Sequence, residues 1–183
     1  MGRRGIIATM AALLMMCGCS SDDAYNVYSR YRASFAYSSV MTAAPLKNAL
    51  TGPGEFCTIS LGVNTLVFQS LTASHTEDIT ADMMYYQKII CISGFIVGMA
   101  NIPEMNTDWL GIVSFDLACS NCYHDNSIKP NLQLKEGGFA YCSRCKRKYS
   151  LNNQGIVVEG KSGRPLERYH VSYDGSNRMV ITN

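Results

Sequence analysis

Two cysteine pairs constrain this chain more than any other feature. Cys119-Ser-Asn-Cys122 is followed, after nineteen residues, by Cys142-Ser-Arg-Cys145, the pattern C-x2-C-x19-C-x2-C. A C-x-x-C turn presents two sulfurs on one side of a tight loop. Two such turns can close a tetrahedron around one ion with bonds of about 2.3 Å. Four sulfurs suit zinc or iron and make a poor site for magnesium or calcium. Disulfides, within each pair or between the loops, are a second use of the same residues, and an exported compartment favours them. A redox dithiol is the third. It requires a helix beginning at the pair, whereas Lys146-Arg147-Lys148-Tyr149-Ser150-Leu151 continues as strand-like sequence.

The opening stretch, MGRRGIIATMAALLMMCGCSSDD, bears on that compartment. Arg3 and Arg4 form a basic start, Ile6 to Met16 is an apolar run too short to span a bilayer, and Gly18 precedes Cys19. The Gly18-Cys19 step resembles the bacterial lipobox, in which a small residue precedes the cysteine that becomes diacylated; Cys17, after Met16, fits it poorly. An ordinary secretory signal is the other reading. The lipoprotein reading makes residues 1–18 a signal peptide, Cys19 the lipidated residue and 19–33 a tether, with acyl chains anchoring a water-borne body to the cell envelope. Ser20-Ser21-Asp22-Asp23 is similar to the acidic signals that send some Gram-negative lipoproteins to the cell surface, so the outer membrane or the surface is the expected location. Cys57, Cys91, Cys119, Cys122, Cys142 and Cys145 then remain in the body.

The chain has 183 residues, enough for one domain with a core of its own. Its net charge of +2 includes Arg3 and Arg4; without them 14 basic residues face 14 acidic ones. A neutral body has no basic footprint for nucleic acid. From Ser34 the pattern is mostly β. FCTISL (56–61) and TLVFQSL (65–71) flank Gly62-Val63-Asn64 as a hairpin. KIICIS (88–93), GFIVGM (94–99), LGIVSFDL (110–117), LQLKE, GFAYC, GIVVEG, ERYHVSY and RMVIT follow as short strands between Asn, Gly, Lys and Pro turns. Helices are expected only near PLKNAL (45–50) and around TASHTEDITADM (72–83). Tyr25, Tyr28 and Tyr31 recur in the tether, which reads as a short helix or extended arm laid on the domain. The fold class is all-β, an antiparallel sandwich or barrel with two cysteine-bearing loops.

The segment CSRCKRKYSLNNQGIVVEGKSGRPLERYHV resembles the second cluster-binding loop and C-terminal strands of Rieske iron–sulfur domains. Cys142, Tyr149, Leu151, Gly155, Val157, Gly160, Arg164, Pro165, Leu166, Tyr169 and Val171 fall into that family's pattern. Upstream, Phe115, Asp116 and Cys119 match the hairpin leading to its first loop. The resemblance covers residues 94–183 and implies a Rieske-like domain over 34–183. It also marks departures. The family holds its cluster with two cysteines and two histidines, but Asn121 and Cys145 stand at the histidine positions, and Cys122 is new. The cysteines that link the loops in some members would fall at His124 and Arg144. The resemblance therefore implies an all-thiolate set, Cys119, Cys122, Cys142 and Cys145, closer to a zinc ribbon or rubredoxin site on a Rieske-like fold. A shifted register, Cys122-Tyr-His124 with Cys142 and Cys145, would make His124 a ligand in place of Cys119.

Among the other residues, Cys57 and Cys91 can form a disulfide if their strands are neighbours, or stay as buried thiols. His75 and His170 read as surface residues, Trp109 and Met83, Met84, Met99 and Met105 as packing. The basic group Arg144, Lys146, Arg147 and Lys148 reads as a solvated face that could also offset a four-thiolate charge. Three functional expectations follow: a non-enzymatic module with structural zinc, an electron-transfer protein holding iron (rubredoxin-type or an all-cysteine 2Fe-2S cluster), or a disulfide-stapled binding domain. Its protein partner is unknown.

Overall fold

The computed structural model of the chain describes residues 27–79, 89–102 and 111–183. Cys17, Cys19, Tyr25, Trp109, Met83, Met84 and Met105, and all but the last seven residues of the expected tether, lie outside them.

The described residues are mostly β, as the pattern of short apolar stretches predicts. One antiparallel sheet has eight strands: β1 (Ser34–Tyr37), β2 (Phe56–Leu61), β3 (Thr65–Gln69), β4 (Ser74–Asp78), β5 (Gly94–Met99), β6 (Ile112–Asp116), β11 (Arg168–Tyr173) and β12 (Met179–Thr182). Their order is β1-β12-β11-β6-β5-β2-β3-β4, and the sheet curls into a half-barrel. The curl brings its two edges within reach, since Tyr37 on β1 donates a hydrogen bond to Glu77 on β4 at 2.8 Å. Helix α1 (Ala44–Thr51) packs against β2, β3, β4 and β5. Its Pro45 sits in the first turn, where a missing N–H costs nothing, and it buries Leu46, Ala49 and Leu50.

A second antiparallel sheet, β10-β9-β8-β7, joins β7 (Gln133–Lys135), β8 (Phe139–Tyr141), β9 (Lys148–Ser150) and β10 (Ile156–Glu159). Two cores result. The first holds Phe35, Tyr37, Leu46, Leu50, Phe68, Phe95, Val97 and Tyr169; the second holds Ile96, Val113, Phe115, Leu132, Tyr149, Leu151 and Leu166 with three of the paired cysteines. Successive residues of a strand face opposite sides, so Phe95 and Val97 enter one core while Ile96 enters the other. Burial on both faces explains why GFIVGM and IVSFD read as nearly unbroken apolar runs.

Two expected elements differ. Residues 74–78, within the stretch where a helix is expected, instead form strand β4 against β3, from Thr65↔Asp78 to Gln69↔Ser74. SHTED alternates between half-buried and exposed, and it carries no apolar stripe to bury as a helix; residues 80–83 lie outside the described chain. KIICIS does not form a strand over 89–93. Ile90 bridges Ser34 alone, and the next inward amide, Ile92 N–H, is taken by the Asp116 carboxylate at 2.9 Å, which ends the ladder. Leu46→Ala should cost about 2–5 kcal/mol through the cavity it leaves in the first core. Chemical denaturation should show that loss with the thiol accessibility of the second core unchanged.

Candidate metal centre

Both cysteine pairs sit where short elements turn. Strand β6 ends at Asp116, and the loop from Cys119 to Pro130 is closed at its base by Cys119 N–H to Pro130 O at 3.0 Å and Leu132 N–H to Leu117 O at 2.9 Å. Within it, helix α2 (Ser120–Asn126) starts directly after Cys119 and carries Cys122. Cys142 and Cys145 form the tip of the β8–β9 hairpin, closed by Cys142 N–H to Arg147 O and Lys146 N–H to Cys142 O, both at 2.9 Å. Lys146 is left-handed there, with φ of 61°, a conformation costly for a side chain other than glycine, asparagine or aspartate.

The four sulfurs converge. All lie within 4.8 Å of one another, with Cys119 to Cys145 at 3.6 Å and Cys122 to Cys142 at 3.8 Å. A tetrahedron with bonds of about 2.3 Å has edges of about 3.8 Å, whereas a disulfide requires about 2.05 Å. The geometry fits one metal ion held by four thiolates, and the cluster could hold a metal. All six described cysteines are free thiols, including Cys57 on β2 and the half-buried Cys91. His124 is not in the cluster; its Nε2 lies 2.8 Å from Glu167 Oε1. The geometry thus assembles the first register of four cysteines.

Burial raises the cost of ionising Cys119 and Cys122 in the absence of a cation. It pushes Cys119 up to about 11, against the Tyr149 hydroxyl hydrogen bond, and pushes Cys122 further up. Cys145 is the exception and the one partly exposed member. Burial opposes its ionisation too, but hydrogen bonds from the Arg147 backbone and guanidinium, then from the Cys119 and Cys142 thiols, bring it down to about 7. A divalent ion supplies the field that ionises such thiols outright.

Three neighbours support the cluster. Tyr149 Oη is 3.1 Å from Cys119 Sγ and accepts from Asn121 Nδ2 at 2.9 Å, so its own hydrogen can point at the sulfur. Asn121 also donates to Arg164 O at 2.9 Å and accepts from Arg164 N–H at 3.1 Å. Arg147 departs from the expected solvated face: it is 7% exposed, donating to Lys161 O at 2.8 Å and Ser162 O at 3.3 Å beside Cys145. Arg144 and Lys146 stay in solvent, and Lys148 pairs with Glu159 at 2.8 Å. The basic run alone does not separate Arg147 from its neighbours. Strand alternation would have hinted at it, since Arg147 and Tyr149 share a parity.

Asp116 anchors the approach to Cys119. Its carboxylate accepts from Ala118 N–H at 2.7 Å, Ile92 N–H at 2.9 Å and Tyr169 Oη at 3.1 Å. Burial nevertheless raises its pKa from 3.8 to about 6, those hydrogen bonds only partly offsetting it. A raised carboxyl contributes stability that is full below the unfolded value and is lost as pH rises through the folded one.

No known family model matches the chain, and no curated protein matches it significantly.

Two outcomes follow from this geometry. Wild type should gain about 1–2 kcal/mol over Asp116→Asn as pH falls from 7.5 to 5, read as the difference between denaturant unfolding curves. Gly163→Ala would place a Cβ 2.1 Å from Asn121 Oδ1, a side chain pinned by three hydrogen bonds. A loss of about 1–3 kcal/mol is expected in thermal melting.

Proposed function

We propose that this chain is an exported lipoprotein whose Rieske-like domain holds one metal ion through Cys119, Cys122, Cys142 and Cys145, in a non-enzymatic module where structural zinc clamps two loops. The observation that carries the metal is the approach of four sulfurs to within 4.8 Å, three of them buried. Closed four-thiolate sites of this kind supply folding energy outright. The second sheet needs such a clamp, because its strands have only three or four residues each and its core is built around Cys119, Cys122 and Cys142 themselves. Tyr149, Leu151, Leu166 and Tyr169, positions that carry the family resemblance, are buried beside the cluster or on the strands that support it, which supports the Rieske-like assignment. Lipidation at Cys19 rests on the Gly18-Cys19 step and the apolar run before it. Among the described residues no helix is long and apolar enough to cross a membrane.

Electron transfer with iron is the second reading. The partial exposure of Cys145 favours it, since that sulfur would bring a redox centre close to a partner. An iron site would draw on the same four thiolates, with the hydrogen bonds of Tyr149 and Arg147 tuning its potential.

Metal analysis, a visible spectrum and a thiol count on the purified full chain separate the readings. One zinc per chain, no colour and four thiols that react only after chelation are expected. Iron with visible absorption would replace zinc by the redox reading. Metal-free protein without reactive thiols in the set would leave disulfides. Cys119→Ser should abolish stoichiometric metal uptake while His124→Ala retains it; the reverse would establish the shifted register. Cys19→Ser should move the chain from the membrane fraction to the soluble one in fractionated cells.

A further inference from the structure

The tyrosines of the lead into the domain make specific contacts where they are described. Tyr28 stacks on His170 with ring centroids 3.6 Å apart. Tyr31 sets its edge against Tyr123 at 5.2 Å and His124 at 5.6 Å. The backbone between them is held as well: Ser29 N–H donates to Arg168 O, and Asn183 Nδ2 donates to Tyr31 O, both at 2.7 Å. Glu167 joins the arm to the helix. One carboxylate oxygen accepts from Ser29 Oγ, the other faces His124 Nε2 at 2.8 Å, and the Glu167 N–H donates to Ser120 Oγ at 3.0 Å.

Ser120, Tyr123 and His124 all belong to α2, the seven-residue helix that follows Cys119 and carries Cys122. A helix this short has no stability of its own in water. It persists through what its side chains grip: the sulfur cluster, Asn121 on Tyr149 and Arg164, and the arm. We propose that residues 27–33 form a latch on the metal-bearing helix. Closure of the four sulfurs around an ion fixes the surface on which Ser29 and Tyr31 dock, and docking holds the first cysteine pair in place. This inference rests on the reading of the four cysteines as a metal site. In a chain anchored at Cys19, the latch would couple metal loading to the segment leading to the membrane.

Coupling between two sites is reciprocal. Arm contacts that touch no sulfur must therefore raise metal affinity by the factor by which the metal tightens the arm, commonly about 5- to 150-fold. The test uses the full chain with zinc alone, titrated against a chromophoric chelator. Ser29→Ala combined with Tyr31→Ala, and separately Glu167→Gln, should weaken zinc at least about 5-fold at unchanged stoichiometry, while Tyr31→Phe, which keeps the ring, should bind as wild type. Trypsin provides a second readout, because Arg30 and Arg32 are exposed on the arm and Lys47 lies on α1. Stripping zinc should speed cleavage at Arg30 and Arg32 at least tenfold (roughly the same coupling) while Lys47 stays protected. Unchanged affinity in the arm variants overturns the latch alone. Simultaneous loss of protection at all three sites overturns it too, because unfolding is then global. A wild-type chain that takes up no zinc overturns the metal reading, and the latch with it.

Discussion

The convergence of four sulfurs from two loops is the contact on which the smaller half of this structure depends. The four sulfurs join the Cys119–Pro130 loop to the tip of the β8–β9 hairpin, and the second core is packed around three of those cysteines. Four mutually close buried thiols gain little by themselves. The buried ones pack as small apolar groups, and burial makes Cys119 and Cys122 resist losing their protons. An ion bound by all four would convert that arrangement into a strong cross-link between elements too short to persist alone. The polar groups around the cluster fit such a site. Tyr149, Arg147 and the backbone at the hairpin tip all direct hydrogen toward sulfur, the pattern a charged thiolate set requires.

The half-barrel serves as the platform for that site. Strands β5 and β6 are buried on both faces, so one pair of strands builds the first core and presents Ile96, Val113 and Phe115 to the second. Asp116, at the end of β6, turns the chain toward Cys119 by taking two backbone amides and a tyrosine hydroxyl. Its buried charge costs stability at neutral pH, and in return the carboxylate sets the direction of the loop. The support extends to Asn121, whose amide fastens the first loop to Tyr149 and to the backbone of Arg164.

Much of this is legible in the sequence because period and spacing are local signals. The cysteine spacing identified the four residues that meet, and the β-branched runs between turn residues marked β2, β3, β5 and β6 within a residue or two. What escaped depends on tertiary partners. SHTED has no apolar pattern to reveal a strand, and it is one because β3 offers a free edge. KIICIS has every local mark of a strand, but Asp116, two dozen residues away, takes the amide that would have continued it. Arg147 lies in a basic run that composition marks as solvated, and only the backbone carbonyls of Lys161 and Ser162 draw it inward. The family resemblance puts Asn121 at a ligand position. Its actual place is one hydrogen bond further out, through Tyr149 to Cys119.

The pairing of β1 with β12 has a consequence for how the molecule is made. Ser34 lies opposite Thr182, and apart from the single bridge of Ser34 to Ile90 the strand that pairs with β1 is β12. Phe35 and Tyr37 share the first core with Met179 and Ile181. Closure of the sheet therefore brings together positions 148 residues apart, Ser34 and Thr182 (182 − 34), a non-local pairing of the kind that folds slowly.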